Sequence, residues 1–496
     1  MTLGKLILII GIAALVLTLI VQFVFKKIKN WPMSYLQNFA GALFIFSGWV
    51  KAIDPLGTAY KMEQYFAEFE STFSETWFSF LAPLFPWLSN YAVGFSVFMI
   101  VLEIALGVML LLGAMRKFTA WVFFAIVFFF TFLTGFTFLT GYVPEGVNFF
   151  QFGQWGPYVE TNMKVTDCGC FGDFLKLKPK ISFLKDVFLM IPAILFILAY
   201  KQKHQLFNAG TRMLITALTI GAISLYCFSN FSWDLPHTDF RPFKAGVNVA
   251  ERKTLEAEAA ANVEILAYKM TNKESKEVVE LPFDQYMKEF KKYPKEEWDL
   301  EQVRSEPEIE ATKISDFEVS DENGEDVTES ILSQEGYSFM IVAYRLYGTE
   351  GTDVQLVTDT VYQIDTIQIA PDSFQLQRSV VATNKRQQQI DIYNWDIAYM
   401  KPWVDIVNPI MEAAEKDGHR TYAITAYSDY GRIDDFRHAT QSAYPFYTAD
   451  DILLKTIVRS NPGLVLMHNG KIIKKWHYKK LPSYDDIKSN YILAGN

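Results

Sequence analysis

Cross-linkable sulfur is almost missing from this chain. It has three cysteines, Cys168, Cys170 and Cys227, in 496 residues, too few for a framework of disulfides. No cysteine follows residue 227, so the C-terminal half cannot itself run dithiol exchange, which needs two thiols. The six histidines fall at no metal-ligand spacing, and no metal site is expected. A phosphate-cradling glycine loop and a Gly-x-Ser-x-Gly elbow are both missing, which removes two common phosphoryl- and acyl-transfer motifs. An excess of basic residues is missing too: the net charge is −9 and the part beyond about residue 232 is strongly acidic, so nucleic acid is not expected as a partner.

What is abundant is apolar and aromatic residue, 50% and 16% of the chain, and it is unevenly placed. Up to about residue 232 there are 16 Lys/Arg against 11 Asp/Glu, a net +5, whereas the remainder has 30 against 44, a net −14. The first part reads as membrane-embedded and the second as acidic and soluble. Six apolar runs are candidate spans: 6–25, 36–53, 92–112, 118–140, 187–200 and 213–231. The first has its positive charges after it and no small-residue cleavage site, so it reads as a retained anchor. The fifth is short and is expected to extend upstream through Phe183 and Leu184, with Lys185 snorkelling to the membrane face beside Asp186. The loops after the first, third and fifth runs carry Lys26, Lys27, Lys29, Arg116, Lys117, Lys201, Lys203 and Arg212 and no acid. The positive-inside rule puts those loops in the cytoplasm. Both termini, the Cys168/Cys170 loop and the acidic portion are then expected on the periplasmic side of a bacterial inner membrane. The expected organisation is an anchor at 1–32, a helical bundle at 33–232, a linker and small α+β region at 233–311, and a further domain at 312–496.

The stretch Thr166-Asp167-Cys168-Gly169-Cys170-Phe171-Gly172-Asp173 lies between the fourth and fifth runs. Two cysteines around one glycine can close only a small, strained ring, and strain favours a labile disulfide over a structural one. A redox pair, a permanent staple and two idle thiols all remain open on this evidence. Cys227, near the outer end of the sixth run, is either a relay to that pair or a small hydrophobe in an apolar helix. Ionisable groups within a span need a reason. Glu103 sits mid-run, either neutral and hydrogen-bonded across the bundle or engaged in proton movement, and Lys51 sits near the outer end of the second run. Gly41, Gly48, Gly107 and Gly113 permit close helix packing.

The stretch from Gly41 through Ser47, Gly48, Trp49, Lys51, Asp54 and Pro55 to Gly57 resembles the opening helix of the DoxX family and of the related membrane proteins of the MauE, methylamine-utilisation type. The resemblance runs on through Lys61-Met62-Glu63-Gln64-Tyr65, Glu103 with Gly107, the Cys168-Gly169-Cys170 loop, and Ser182-Phe183-Leu184-Lys185-Asp186, covering about residues 33–200. It implies a four-helix bundle, here flanked by an N-terminal and a sixth transmembrane helix. In the methylamine-utilisation branch it implies a link to maturation of a disulfide-rich periplasmic subunit. Carried over, Cys168 and Cys170 are the redox pair, and Glu103, Lys51 and Asp54 are accompanying polar residues. The long soluble tail departs from that family's short pattern, and the whole arrangement is similar to one found in Bacteroidota envelopes.

In the acidic portion, 234–242 reads as the exit from the membrane and 250–261 as helix or linker. Segments 263–270 and 277–281 alternate as a hairpin, while 285–304 is highly charged and expected to pack loosely. A strand, turn and short helix are expected over 314–328, a buried strand at 337–344, a helix at 403–416 ending at Asp417-Gly418, a strand at 420–426, and a hairpin around His468-Asn469-Gly470. This order resembles a thioredoxin-like α/β domain over about 312–490, with Asn461-Pro462-Gly463 where that fold has its cis-proline loop. Residues 345–400 are an insertion, with 354–361 and 362–369 alternating as strands. It is either a partner-binding surface or a solvated extension. Asp359-Thr360-Val361 and Asp365-Thr366-Ile367 resemble O-glycan acceptor sites.

Two functions compete. The first is thiol–disulfide exchange, or maturation of periplasmic clients, through Cys168 and Cys170, with the tail binding the client protein. No resident cofactor is expected, and a quinone is one candidate electron acceptor. The second is a non-catalytic, membrane-anchored assembly or scaffold factor in which the pair is structural.

Overall fold

The computed structural model describes residues 2–275, 277–370, 373–427 and 429–494. The chain divides into two compact units, Met1–Lys244 and Ala245–Asn496. The division falls beyond residue 232 because the exit segment packs back on the first unit. The Phe240 ring meets that of Phe174 at 5.2 Å, and Tyr226 Oη bonds His237 Nδ1 at 2.9 Å.

In the first unit, α1 (Leu3–Phe23) is followed by α2 (Trp31–Ile53), α3 (Pro55–Ser74), the short α4 (Leu84–Ser89), α5 (Ala92–Leu112), α6 (Arg116–Thr140), α7 (Pro179–Leu198) and α8 (Ala209–Phe228). Side-chain caps mark several starts: Asn30 accepts from Met33 N at 3.0 Å, Asp54 from Gly57 N at 3.1 Å, and Asn208 from Thr211 N at 2.8 Å. Each satisfies a donor that the first helical turn leaves orphaned. Five helices are long and apolar enough to cross a membrane, and α2 and α3 together, bent by 94° at Asp54, make up to six. α2 packs along α5 and α6 along α7, with α1 against α2 and α8 against α5. The α2–α5 approach is close because both helices present glycine: a Cβ on Gly107 would sit 2.7 Å from the Gly41 carbonyl oxygen. Leu43, Phe44, Leu106, Leu110, Phe123, Val127 and Phe196 form the centre of this unit's core.

One expectation needs correction here. The fifth run does extend upstream, but Lys185 does not snorkel; it is largely buried and paired with Asp186 at 2.6 Å. Lys203 lies in the loop between α7 and α8. It is buried, its Nζ makes no hydrogen bond among the described residues, and it lies 4.4 Å from the Phe196 ring centroid.

The second unit begins with α9 (Val249–Ala261) and a three-stranded antiparallel sheet, β1 (Ile265–Asn272), β2 (Val278–Pro282) and β3 (Trp298–Arg304), in order β2-β1-β3, with α10 (Phe283–Glu289) between β2 and β3. The 263–281 hairpin is present. The 285–304 stretch is more ordered than expected, because half-buried Trp298, Leu300 and Val303 let its end pair with β1. No strand forms over 314–319. Backbone bonds from Phe317 N to Ile314 O and from Ser315 N to Thr312 O turn the chain instead, and Ile314, Phe317 and Val319 are buried from those turns.

Beyond α11 (Thr328–Leu332) come β4 (Tyr337–Ala343), β5 (Gly348–Ala370), β6 (Ser373–Trp395), a helical stretch α12 (Ile397–Pro402) and α13 (Asn408–Lys416), then β7 (Arg420–Thr425), α14 (Tyr430–Thr440), β8 (Phe446–Thr448), α15 (Asp451–Ile457), β9 (Gly463–His468) and β10 (Lys471–His477). The five-stranded sheet has order β10-β9-β4-β7-β8. β4, β7 and β8 are parallel, and β9 is antiparallel to its neighbours. Every residue of β4 is buried, and the Asn461–Pro462 bond before β9 is cis. Segments 354–361 and 362–369 are one strand, not two. β5 pairs with β6 along its length, and the register slips at Val361/Tyr362, where no turn-forming residue interrupts the chain.

Burial without a partner disfavours the charged form of Lys203 and, with Arg116 nearby, pushes its pKa down to about 7. An unfolded lysine titrates near ~10.4, so the unfolded chain binds more protons between these values and stability rises with pH across them. Lys203→Met is expected to raise stability by roughly 1–3 kcal/mol at pH 7 and below, with the gain shrinking as pH rises. Thermal unfolding of both proteins in detergent across pH checks this.

Candidate functional site

The loop 166–173 is held from several sides. Cys170 packs against the apolar core of the first unit, and its carbonyl accepts from Ser47 Oγ on α2 at 2.9 Å. The same hydroxyl lies 3.3 Å from Glu103 Oε2 on α5. Glu103 is in turn ion-paired with Lys51 of α2, both side chains almost wholly buried. On another side, Lys61 of α3 pairs with Asp167 at 3.2 Å, and Asp167 Oδ1 accepts from Gly169 N at 3.0 Å. On a third, Lys185 of α7 reaches over the Phe171 ring at 5.6 Å. Its partner Asp186 accepts from Thr134 of α6 at 3.1 Å. Tyr65 Oη and Thr137 Oγ1, 2.9 Å apart, close the α3–α6 side.

Gly169 earns its place between the two cysteines. Its φ is +62°, in the left-handed region, and a Cβ there would stand 3.1 Å from Lys61 Cγ. That turn brings the two sulfurs together as free thiols. Cys168 donates its S–H to Cys170. The thiol pKa of Cys168 is raised by that bond and then by burial, against a lowering contribution from Ser182. The pKa of Cys170 is lowered by the same bond, with burial opposing and Lys185 assisting. A thiolate is the reactive form of cysteine, so the arrangement presents one ready sulfur and one that carries the proton.

The sequence-derived candidates divide. Cys168 and Cys170 stand together, and Lys51 and Glu103, read separately from the sequence, form one pair linked through Ser47 to the cysteine loop. Glu103 thus bonds across the bundle to Lys51 of α2. Asp54 caps α3 at the sharp bend and so positions Lys61. Cys227 is elsewhere, fully buried with Ala52, Val97, Ile100 and Ile104 in a different cluster from the one that holds Cys170. Ser47 and Ser182 entered the sequence reading only within the resemblance and Thr134 and Thr137 not at all; none was given a role in the site. A usable signal existed in spacing, since Ser47 and Lys51 lie four apart on one face of α2, as do Lys61 and Tyr65 on α3. No family model matches the chain, and neither a curated protein nor a solved structure matches it.

Glu103→Gln removes one charge of a buried pair and leaves Lys51 uncompensated. It is expected to cost about 3–5 kcal/mol, and Lys51→Met combined with Glu103→Met clearly less, both read from unfolding in detergent. Because the Cys170 pKa is depressed, its thiolate persists as pH falls through the ordinary thiol value. Alkylation of the reduced protein should therefore stay fast at pH values where a free thiol slows. Cys168→Ala, which removes the donated bond, should shift the Cys170 rate profile to higher pH; an unmoved profile would count against that bond.

Proposed function

We propose that the chain is an inner-membrane, DoxX/MauE-like protein whose Cys168–Cys170 pair exchanges disulfides with periplasmic client proteins, and whose second unit is a redox-inactive, thioredoxin-like module that binds the client. The observation that carries the reading is the pairing of two adjacent thiols with Lys185 beside them, on a loop tied to three helices. The thioredoxin-like assignment is supported by the mixed five-stranded sheet, with parallel β4, β7 and β8 and an antiparallel β9 beside β4. The cysteine-free composition of that unit leaves it recognition rather than chemistry, and tethering it to the pair raises effective concentration. Orientation is supported by the acid-free basic loops on one side.

In the oxidised protein a client thiolate attacks Cys168, the sulfur that does not pack on the apolar core. The Cys168–Cys170 bond breaks and its electron pair leaves on Cys170, where Lys185 favours the anion. The better leaving thiol is the one with the lower pKa. A second client thiolate then attacks the client sulfur of the mixed disulfide and releases Cys168. Two electrons and two protons pass from the client dithiol to the pair, and a lipid-phase quinone takes the same two electrons and two protons to restore the disulfide.

Rapid acid quenching and alkylation of cells tests this. Cys170→Ser should accumulate a mixed disulfide between Cys168 and a periplasmic protein, and Cys168→Ser should accumulate far less. If neither variant forms an adduct and the wild-type pair is uniformly oxidised, the pair is a staple and the scaffold reading replaces this one.

A further inference from the structure

The link between α3 and α5 offers a surface that neither the bundle nor the thiol pair uses. From Thr76 to Tyr91 there is no charged residue, and the stretch holds Trp77, Phe78, Phe80, Phe85, Trp87 and Tyr91. It cannot cross a bilayer: Pro83 and Pro86 interrupt it, and its only helical pieces are Ser79–Leu81 and Leu84–Ser89, against ~20 residues for a span. It is not a continuation of α2 either. The chain bends by 94° before α3, and α3 carries Lys61, Glu63, Glu68 and Glu70.

The aromatic side chains sort into two rows. Phe78 and Phe85 turn inward, with Phe73–Phe85 at 5.4 Å, Phe69–Phe85 at 5.5 Å and Phe78–Phe150 at 5.8 Å. The other row faces out: Trp77 is 80% exposed, Phe80 71%, Trp87 53% and Tyr91 54%, with Leu84 beside them. So large an apolar surface on one short stretch marks a binding face.

Position and composition name what covers it. Tyr91 directly precedes Ala92, the first residue of α5, one of the helices long and apolar enough to cross a membrane. The stretch is thus continuous with the end of a crossing helix. Its irregular backbone excludes the hydrocarbon centre, where unsatisfied peptide groups are not tolerated against lipid. Tryptophan and tyrosine concentrate at the headgroup boundary, where one end of the ring is dry and the other wet. We propose that residues 76–91 form an in-plane anchor whose outer row, Trp77, Phe80, Leu84, Trp87 and Tyr91, lies in the headgroup–acyl boundary of the bilayer that the long helices cross. The anchor holds α3 at the same level. Through Lys61–Asp167, and Glu68–Lys164 at 3.5 Å, α3 in turn holds the loop of Cys168 and Cys170.

The full chain in native membranes tests this, with Trp77, Phe80 and Trp87 each replaced in turn by photoreactive p-benzoylphenylalanine and Glu258 of α9 replaced as a soluble control. Illumination should add the mass of one phospholipid at each of the three positions and none at the control. Phe80→Cys should also react more slowly with a membrane-impermeant maleimide than Glu258→Cys. Cross-links to a second polypeptide would make the face a protein interface, whether with another copy or a client. No lipid adduct together with maleimide labelling as fast as the control would make it solvent-exposed; either result overturns the anchor. The photo-cross-linking readout is independent of thiol exchange at Cys168 and Cys170.

Discussion

A lysine and a glutamate facing each other inside an apolar helix bundle leave little freedom to the helices that carry them. Moving either charge out of water is costly, and the cost is offset only while the two stay in contact. The Lys51–Glu103 pair therefore fixes the register of α2 against α5, and the glycine contact of Gly41 with Gly107 fixes their separation. The consequence reaches the surface because Glu103 is also near Ser47, whose hydroxyl holds the Cys170 carbonyl. A turn containing two thiols would otherwise be a mobile loop. Here it is seated on a rigid crossing of two helices.

The other helices repeat the device at lower stakes. Lys61–Asp167 ties the loop to α3, and Lys185–Asp186–Thr134 joins α7 to α6 beneath Phe171. Of these cations Lys185 acts on both sulfurs and favours their thiolates, and Asp186 compensates it when the thiols are protonated. This is how a site in apolar surroundings can hold a negative charge part of the time.

Much of the architecture could be read in advance because it rests on periodicity and punctuation. Long apolar runs gave the helices long enough to cross a membrane, and the buried strand at Tyr337, the helix ending at Asp417-Gly418 and the Asn469-Gly470 hairpin all follow local rules. What escaped reading depends on partners distant in sequence. β3 looked like a loose charged stretch because none of its residues is fully buried and its apolar positions, Trp298, Leu300 and Val303, do not keep one face. The 314–319 segment alternated like a strand yet turns, because its backbone bonds are local. Lys51 and Glu103 were each conspicuous alone, but nothing in one sequence says that residues so far apart meet. The hydroxyls of Ser47, Thr134 and Thr137 were hidden for a different reason: serine and threonine are ordinary in membrane helices and carry no mark until a neighbour gives them one.

The second unit is built without sulfur donors for bonding, its sheet closed by packing around Phe339, Trp403, Phe436 and Leu466. In a compartment that oxidises thiols, such a body has no wrong cross-link to form. Its shape is therefore blind to the ambient redox poise, and any response to that poise falls to the cysteines of the first unit.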